Sequence, residues 1–204
     1  MIRLFITDDH AVVREGLSRI IDTCEDIELV GMAEDTAGLF SKPRDWDVLV
    51  LDLSLPGGGG VEAVRRLLAT DEGARIVIYS MYPEEQYGPR LLRAGVKAYL
   101  SKRRSTDELL TAIRRAHKGL RTVTDTISDQ LLMSSGSKAA AQLSDRELQI
   151  VQLLGEGQPP SGIAATLSIS KSTVSTHIRN IKTKLAVTSV PDLVAYAVRS
   201  GLTQ

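Results

Sequence analysis

The sequence has one cysteine, Cys24, among 204 residues. That excludes an internal disulfide, and with no His or acid spaced as a metal partner Cys24 is expected to be a small buried side chain. Also missing is any apolar run near the ~20 residues that a membrane-spanning helix needs. The opening Met1-Ile2-Arg3-Leu4-Phe5-Ile6-Thr7-Asp8-Asp9 has neither the basic start nor the small-residue cleavage site of a signal peptide. A cytoplasmic protein with no membrane partner is therefore expected. Net charge is absent too, since 25 Lys and Arg balance 25 Asp and Glu, so any affinity for nucleic acid must rest on local charge. No repeat or low-complexity tract is present beyond a short linker and one glycine run.

What is there suggests two small domains, each long enough to bury a modest core. Residues 143–204 carry six cations against four acids, and the stretch from Ser168 to Ala186 holds four cations and no acid. The remainder of the chain is mildly acidic.

The first 120 residues alternate short apolar runs with helical patterns. Strands are predicted near 2–7, 28–33, 47–52, 75–80 and 96–100, and helices near 11–22, 35–41, 60–70, 84–94 and 106–118. Five βα repeats imply a parallel sheet covered on both faces. In the first helix Val12, Val13, Leu17, Ile20 and Ile21 recur at three- and four-residue steps. The fourth carries Gly88-Pro89 inside it, and because an interior proline removes a hydrogen bond and clashes with the preceding turn, its regular part is expected to start at about Pro89. A further helix is predicted over 124–133, and Ser134 to Gln142 reads as a flexible linker. Four helical patterns follow, over 145–155, 160–167, 171–185 and 192–200. The short second helix, the Ser168-Ile169-Ser170 turn and the long third helix have the proportions of a helix-turn-helix.

The central stretch is Val48-Leu49-Val50-Leu51-Asp52-Leu53-Ser54-Leu55-Pro56, an apolar strand that delivers Asp52 to its carboxyl end, where the ligand crevice of an open α/β sheet lies. Asp8 and Asp9 end the first strand in the same way. Two like charges at ~4 Å repel by about 4 kcal/mol at an effective dielectric of ~20, so three carboxylates in one pocket need a cation or a proton. Oxygen donors without Cys or His favour Mg²⁺. Ser80 and Lys102 fall at two further strand ends. A hydroxyl and an ammonium around an Asp and a metal are what an acyl phosphate needs: the Asp attacks phosphorus, and the cations and hydroxyl engage its oxygens.

The Asp8-Asp9 pair and the Asp-Leu-Ser-Leu-Pro, Ser-Met-Tyr and Ala-Tyr-Leu-Ser-Lys segments resemble the receiver domain of two-component response regulators, over residues 1–120. The resemblance implies a flavodoxin-like, doubly wound α/β fold with a five-stranded parallel sheet. It also implies that Asp52 is the phosphoacceptor, that Asp9, Asp52 and the backbone carbonyl of Ser54 bind Mg²⁺ with Asp8 acting through water, and that Ser80 and Tyr99 form a switch pair. Gly57 to Gly60 departs from the family's single glycine at the place of Gly60. No Lys-Ser/Thr follows it, so the run is not a P-loop and reads as a mobile turn.

In the third carboxyl-terminal helix Val174, Ile178, Ile181 and Leu185 form an apolar stripe, opposite a polar, basic face. Cations there provide phosphate affinity, and short polar side chains reach base edges. Leu143-Ser144-Asp145-Arg146-Glu147-Leu148, Ile163-Ala164 and Ser172 to His177 resemble the LuxR-type DNA-binding domain over 143–204, an all-α four-helix unit. The whole chain is then similar to response regulators of the NarL/FixJ class. The resemblance puts base reading on Ser175, Thr176 and Arg179, with Lys171, Thr173, His177, Lys182 and Lys184 on the phosphate side. Pro160-Ser161-Gly162 stands where Asn-Lys-Glu is usual, removing one backbone-contacting cation. In the last helix Val190, Leu193, Val194, Ala197 and Val198 form a stripe for dimerisation or for burial in its own domain.

The expectation is a non-enzymatic, phosphorylation-dependent transcription regulator: a sensor histidine kinase phosphorylates Asp52, and a homodimer binds promoter DNA. Two alternatives stand beside it. A phosphotransferase is disfavoured because Ser54 occupies the place of the second acid such enzymes carry. A receiver acting through protein contacts, or without phosphorylation, is the other.

Overall fold

The computed structural model describes residues 1–56, 59–134, 143–200 and 202. The chain forms two compact units, Met1–Leu131 and Leu132–Gln204. The expected linker falls outside the described residues except for Ser134, which ends a helix, and Gly57 and Gly58 of the glycine run fall outside them as well.

The first unit alternates β1 (Ile2–Thr7), α1 (Ala11–Ile21), β2 (Ile27–Ala33), α2 (Thr36–Ser41), β3 (Val48–Leu51), α3 (Gly59–Thr70), β4 (Ile76–Ser80), α4 (Glu84–Ala94), β5 (Ala98–Ser101) and α5 (Thr106–His117), followed by α6 (Asp125–Ser134). The strands form one parallel sheet in the order β2-β1-β3-β4-β5. Every residue of β3 and β4 is buried, as strands covered on both faces require. The order reverses direction between β1 and β3, so the carboxyl ends of these two strands open the crevice at the switch point. Thr7 pairs with Leu51 in register, which brings Asp8 and Asp52 side by side one residue later.

The local signals act as their chemistry dictates. Ser105 and Glu108 form a reciprocal capping box at the start of α5. Gly59 and Gly60 open α3, and a Cβ on Gly60 would come within 2.5 Å of Leu53 Cα and 2.8 Å of the Asp52 carbonyl oxygen. Glycine is required there because α3 starts against the backbone that follows the Asp52 strand. Cys24 is half-buried rather than buried, its thiol directed at the Ile20 carbonyl.

The expectation for α4 is corrected. It does not begin at Pro89 but runs from Glu84 to Ala94 with Pro89 inside it. The residue before a proline is normally driven from helical angles by its own Cβ, and Gly88 has none. A Cβ there would also lie 2.5 Å from Ile127 Cδ1. The missing Pro89 amide costs one bond to Glu85, while buried Glu84 fixes the first turn from outside the helix.

The second unit contains α7 (Asp145–Gly155), α8 (Pro160–Thr166), α9 (Lys171–Leu185) and α10 (Val190–Arg199). Ser144 and Glu147 form a capping box on α7, Pro160 occupies the first turn of α8, and Ser189 and Asp192 cap α10, which begins two residues before its predicted start. Leu148, Ile150, Val151, Leu154, Ile163, Val174, Ile181, Leu193 and Ala197 supply its buried core.

Candidate functional site

The first unit gathers Asp8, Asp9, Asp52 and Lys102 at the carboxyl edge of the sheet. Asp8 and Asp52 are buried, Asp9 is half-buried, and the Lys102 side chain is only 8% exposed. Lys102 Nζ lies 2.6 Å from Asp52 Oδ2 and 2.7 Å from Asp8 Oδ2, so one cation bridges two carboxylates. The other Asp52 oxygen accepts the Ser54 N–H at 3.0 Å. Burial raises the Asp8 pKa, with the Asp52 charge adding to it against the Lys102 ammonium. Burial works against the Lys102 charge, but the two carboxylates outweigh it and hold the ammonium above its usual value.

Ser80 is fully buried at the end of β4, where among the described residues its Oγ accepts only a long bond from Tyr82 N–H, 3.4 Å. Tyr99 is fully buried as well, and its hydroxyl donates to the Tyr82 carbonyl at 3.0 Å. Burial lifts its pKa well above the usual value, keeping the phenol protonated as a donor. Ser80 and Tyr99 thus meet on opposite sides of one residue's backbone.

Ligand atoms of Asp8, Asp9, His10 and Asp52 all lie within 4.8 Å of one another. Asp9 Oδ1 is buried and makes no hydrogen bond, although His10 Nδ1 stands 2.7 Å away. A predominantly carboxylate set with an unsatisfied oxygen suits a hard divalent cation. His10 is absent from the sequence-derived site; its position directly after the Asp pair was the available signal. Its backbone N–H donates to Asp8 Oδ1, and Arg14 donates to the Asp8 carbonyl.

In the second unit the α8–α9 turn passes through a left-handed residue, Ser168, at φ 52°. Arg146 donates to the Leu167 carbonyl at the end of α8, and Ser170 caps α9. The α9 stripe buries Val174, Ile178 and Ile181 and turns Lys171, Thr173, Ser175, Thr176 and Arg179 to solvent, with His177 half-buried. Ser175 and Arg179 also line an open groove of about 520 Å³ with Lys182 and Thr183.

Two of the named cations are engaged within the unit. Lys182 Nζ donates to the Thr188 carbonyl at 3.1 Å, and Lys184 Nζ lies 2.7 Å from the buried carboxylate of Glu147. Burial opposes the Glu147 charge, but Lys184 and the Ser144 donors hold its pKa below the usual range. On α10 Leu193 and Ala197 are buried while Val198 is 60% exposed, so the stripe is only partly used inside the unit.

Residues 4–114 match the response regulator receiver domain, and residues 141–197 match the bacterial regulatory proteins of the luxR family. The chain is 32% identical to the response regulator GacA of Pseudomonas aeruginosa, covering 99% of this chain and 98% of that protein. It is 35% identical to the oxygen regulatory protein NreC of Staphylococcus aureus, covering 98% of each. Its structure is similar to RcsB of Salmonella enterica serovar Typhimurium bound to the promoter P1flhDC with the phosphomimetic BeF₃⁻. That likeness has a TM-score of 0.75 at 25% identity, over 96% of this chain and 97% of that one. Among the described residues no helix is long and apolar enough to cross a membrane. With a receiver domain followed by a LuxR-type helix-turn-helix domain, the chain belongs to the two-component response regulators and is a DNA-binding transcription regulator.

Proposed function

We propose that Asp52 accepts a phosphoryl group from the phosphohistidine of a sensor histidine kinase, and that this modification governs promoter binding by a homodimer in the cytoplasm. In this reading residues 1–120 are the receiver, 121–142 a connecting helix and linker, and 143–204 the DNA-binding domain. The observation that carries it is the buried Asp52 carboxylate, held at 2.6 Å by Lys102 and at 3.0 Å by the Ser54 N–H, beside Asp8 and Asp9.

An oxygen of Asp52 attacks phosphorus as the phosphorus–nitrogen bond of the donor breaks and its electron pair leaves with the imidazole. Asp9, Asp52 and the carbonyl of Ser54 would hold Mg²⁺, with Asp8 acting through water. The bound ion supplies positive charge against the phosphoryl oxygens. Lys102 balances the same charge from the protein side, and the Ser80 hydroxyl retains its hydrogen for a phosphoryl oxygen. Ser80 and Tyr99 form the switch pair, joined through the backbone of Tyr82.

On α9, Ser175, Thr176 and Arg179 read base edges, while Lys171, Thr173 and His177 contact the phosphate side. Lys182 joins them by releasing Thr188. Lys184 serves chiefly as the counter-ion of Glu147. The α10 stripe, of which only Leu193 and Ala197 are buried within the unit, supports α10 as the dimer contact. The capture of RcsB on promoter DNA with a phosphomimetic supports extending this behaviour to a similar chain. In vitro selection of bound DNA, with and without acetyl phosphate, tests the reading. The phosphorylated protein should enrich one inverted sequence with an affinity that falls steeply as salt rises. Equal, salt-insensitive retention in both arms would refute it.

A further inference from the structure

We infer that Glu84 is a positioning residue that ties the acidic pocket to the start of α6, so that a change at Asp52 and Lys102 reaches α6 through one buried carboxylate. The phosphate-dependent part of this inference rests on Asp52 being the phosphoacceptor.

Among the described residues the first unit buries three carboxylates, Asp8, Asp52 and Glu84. The first two belong to the pocket. Glu84 does not, yet its two oxygens accept four bonds. Oε1 takes the Ser101 N–H at 2.7 Å and Arg104 Nε at 2.7 Å; Oε2 takes Arg104 Nη2 at 3.0 Å and the Thr124 hydroxyl at 2.7 Å. These donors come from the end of β5, the turn after it and the segment entering α6. One side chain at the head of α4 therefore fixes three separate stretches of chain.

Both ends of this link lead somewhere. Ser101 directly precedes Lys102, whose N–H donates to the Ser80 carbonyl at 2.9 Å and whose Nζ bridges Asp52 and Asp8. On the other side Thr124 Oγ1 accepts the Ile127 N–H at 3.4 Å, and the Thr124 carbonyl accepts the Ser128 N–H at 2.9 Å, so Thr124 organises the first turn of α6. Fully buried Ile127 then packs on Gly88 of the same α4. Pro89 leaves the first turn of α4 one backbone bond short, which makes its position more dependent on Glu84.

The negative charge is necessary to the link. All four bonds are donated to it by three residues, and burial would expel the charge but for them; together they hold the Glu84 pKa below the usual carboxylate range. An amide in its place must turn an NH₂ group toward Arg104 or Thr124 and lose at least one bond.

The test is amide hydrogen exchange at Ile127 and Ser128, read by NMR on the full chain. Two independent triggers at the pocket are beryllofluoride with Mg²⁺, and the substitution Lys102→Met, which needs no phosphate. In the wild-type background each trigger should change exchange at both amides about fivefold relative to the core amides of β3, which report any global loss of stability, the ratio equivalent to one net hydrogen bond of ~1 kcal/mol. In Glu84→Gln and in Thr124→Val the same triggers should change it less than about twofold, while Thr124→Val still takes label from acetyl phosphate. Wild-type responses in both variants overturn the inference, as does a wild type that responds to neither trigger. If Glu84→Gln fails to fold, Thr124→Val decides. If beryllofluoride fails to bind but the Lys102→Met response still requires Glu84 and Thr124, the link stands and the assignment of Asp52 falls.

Discussion

Lys102 and Asp52 are joined at 2.6 Å in a pocket where both side chains are almost wholly withdrawn from water, and Asp8 stands 2.7 Å from the same ammonium. Removing the cation leaves two facing carboxylates uncompensated. Lys102→Met is therefore expected to lower the unfolding free energy of the first unit by about 3–5 kcal/mol at neutral pH without divalent ions. Urea unfolding followed by the single tryptophan, Trp46, measures this. Adding Asp52→Asn should recover much of the loss; a deficit unaffected by the second substitution would place the effect elsewhere.

Gly60 faces backbone, so Gly60→Ala should destabilise by about 1–3 kcal/mol through overpacking against Leu53 and Asp52. Gly16, exposed in α1 with nothing within 4 Å of a Cβ, is the control, and Gly16→Ala should stabilise by roughly 0.5–1 kcal/mol. The same tryptophan titration reads both, and a neutral Gly60→Ala would contradict the packing argument.

Glu147 gives a pH dependence of known sign. Its folded pKa lies below the ordinary value of 4.5, so its contribution to stability is present above that value and lost as pH falls through the folded one. Glu147→Gln should cost most at pH values above 4.5, and the gap to wild type should shrink as pH falls below it. Urea titrations at several pH values, followed by the NMR amide signals of α7 and α9, check this. A gap between the two proteins that widens on acidification would reverse the sign and reject the account.

The cations of α9 should separate by task. Lys171→Ala should weaken DNA binding uniformly across sequences and reduce its salt slope by about one. Lys184→Met should leave that slope nearly unchanged while destabilising the second unit, because it strands buried Glu147. Binding titrations across a salt series, with parallel unfolding curves, distinguish the two; a slope reduced equally by both would return Lys184 to the phosphate-contacting set.

The sheet and its acid pocket were legible because both follow from short-range signals. Fully apolar runs such as Val48 to Leu51 read directly as doubly covered strands, and strand ends converge at the switch point of any such sheet. The start of α4 is not legible in the sequence because neighbours relieve the cost of its interior proline: Gly88 before it, and the tertiary anchor Glu84. Glu84 itself carried no local signal, since its partners Arg104 and Thr124 lie 20 and 40 residues away. Lys184 illustrates the same limit from the other side. In an acid-free stretch it reads as facing DNA, yet its counter-ion sits 37 residues earlier in the capping box of α7.

The claim that organises the rest is that Asp52 is the phosphoacceptor. Incubation of wild type and Asp52→Asn with radiolabelled acetyl phosphate and Mg²⁺ tests it most directly. The account predicts base-labile label on the wild type, none on Asp52→Asn, and loss of wild-type labelling when the divalent ion is chelated. Undiminished label on Asp52→Asn would contradict it.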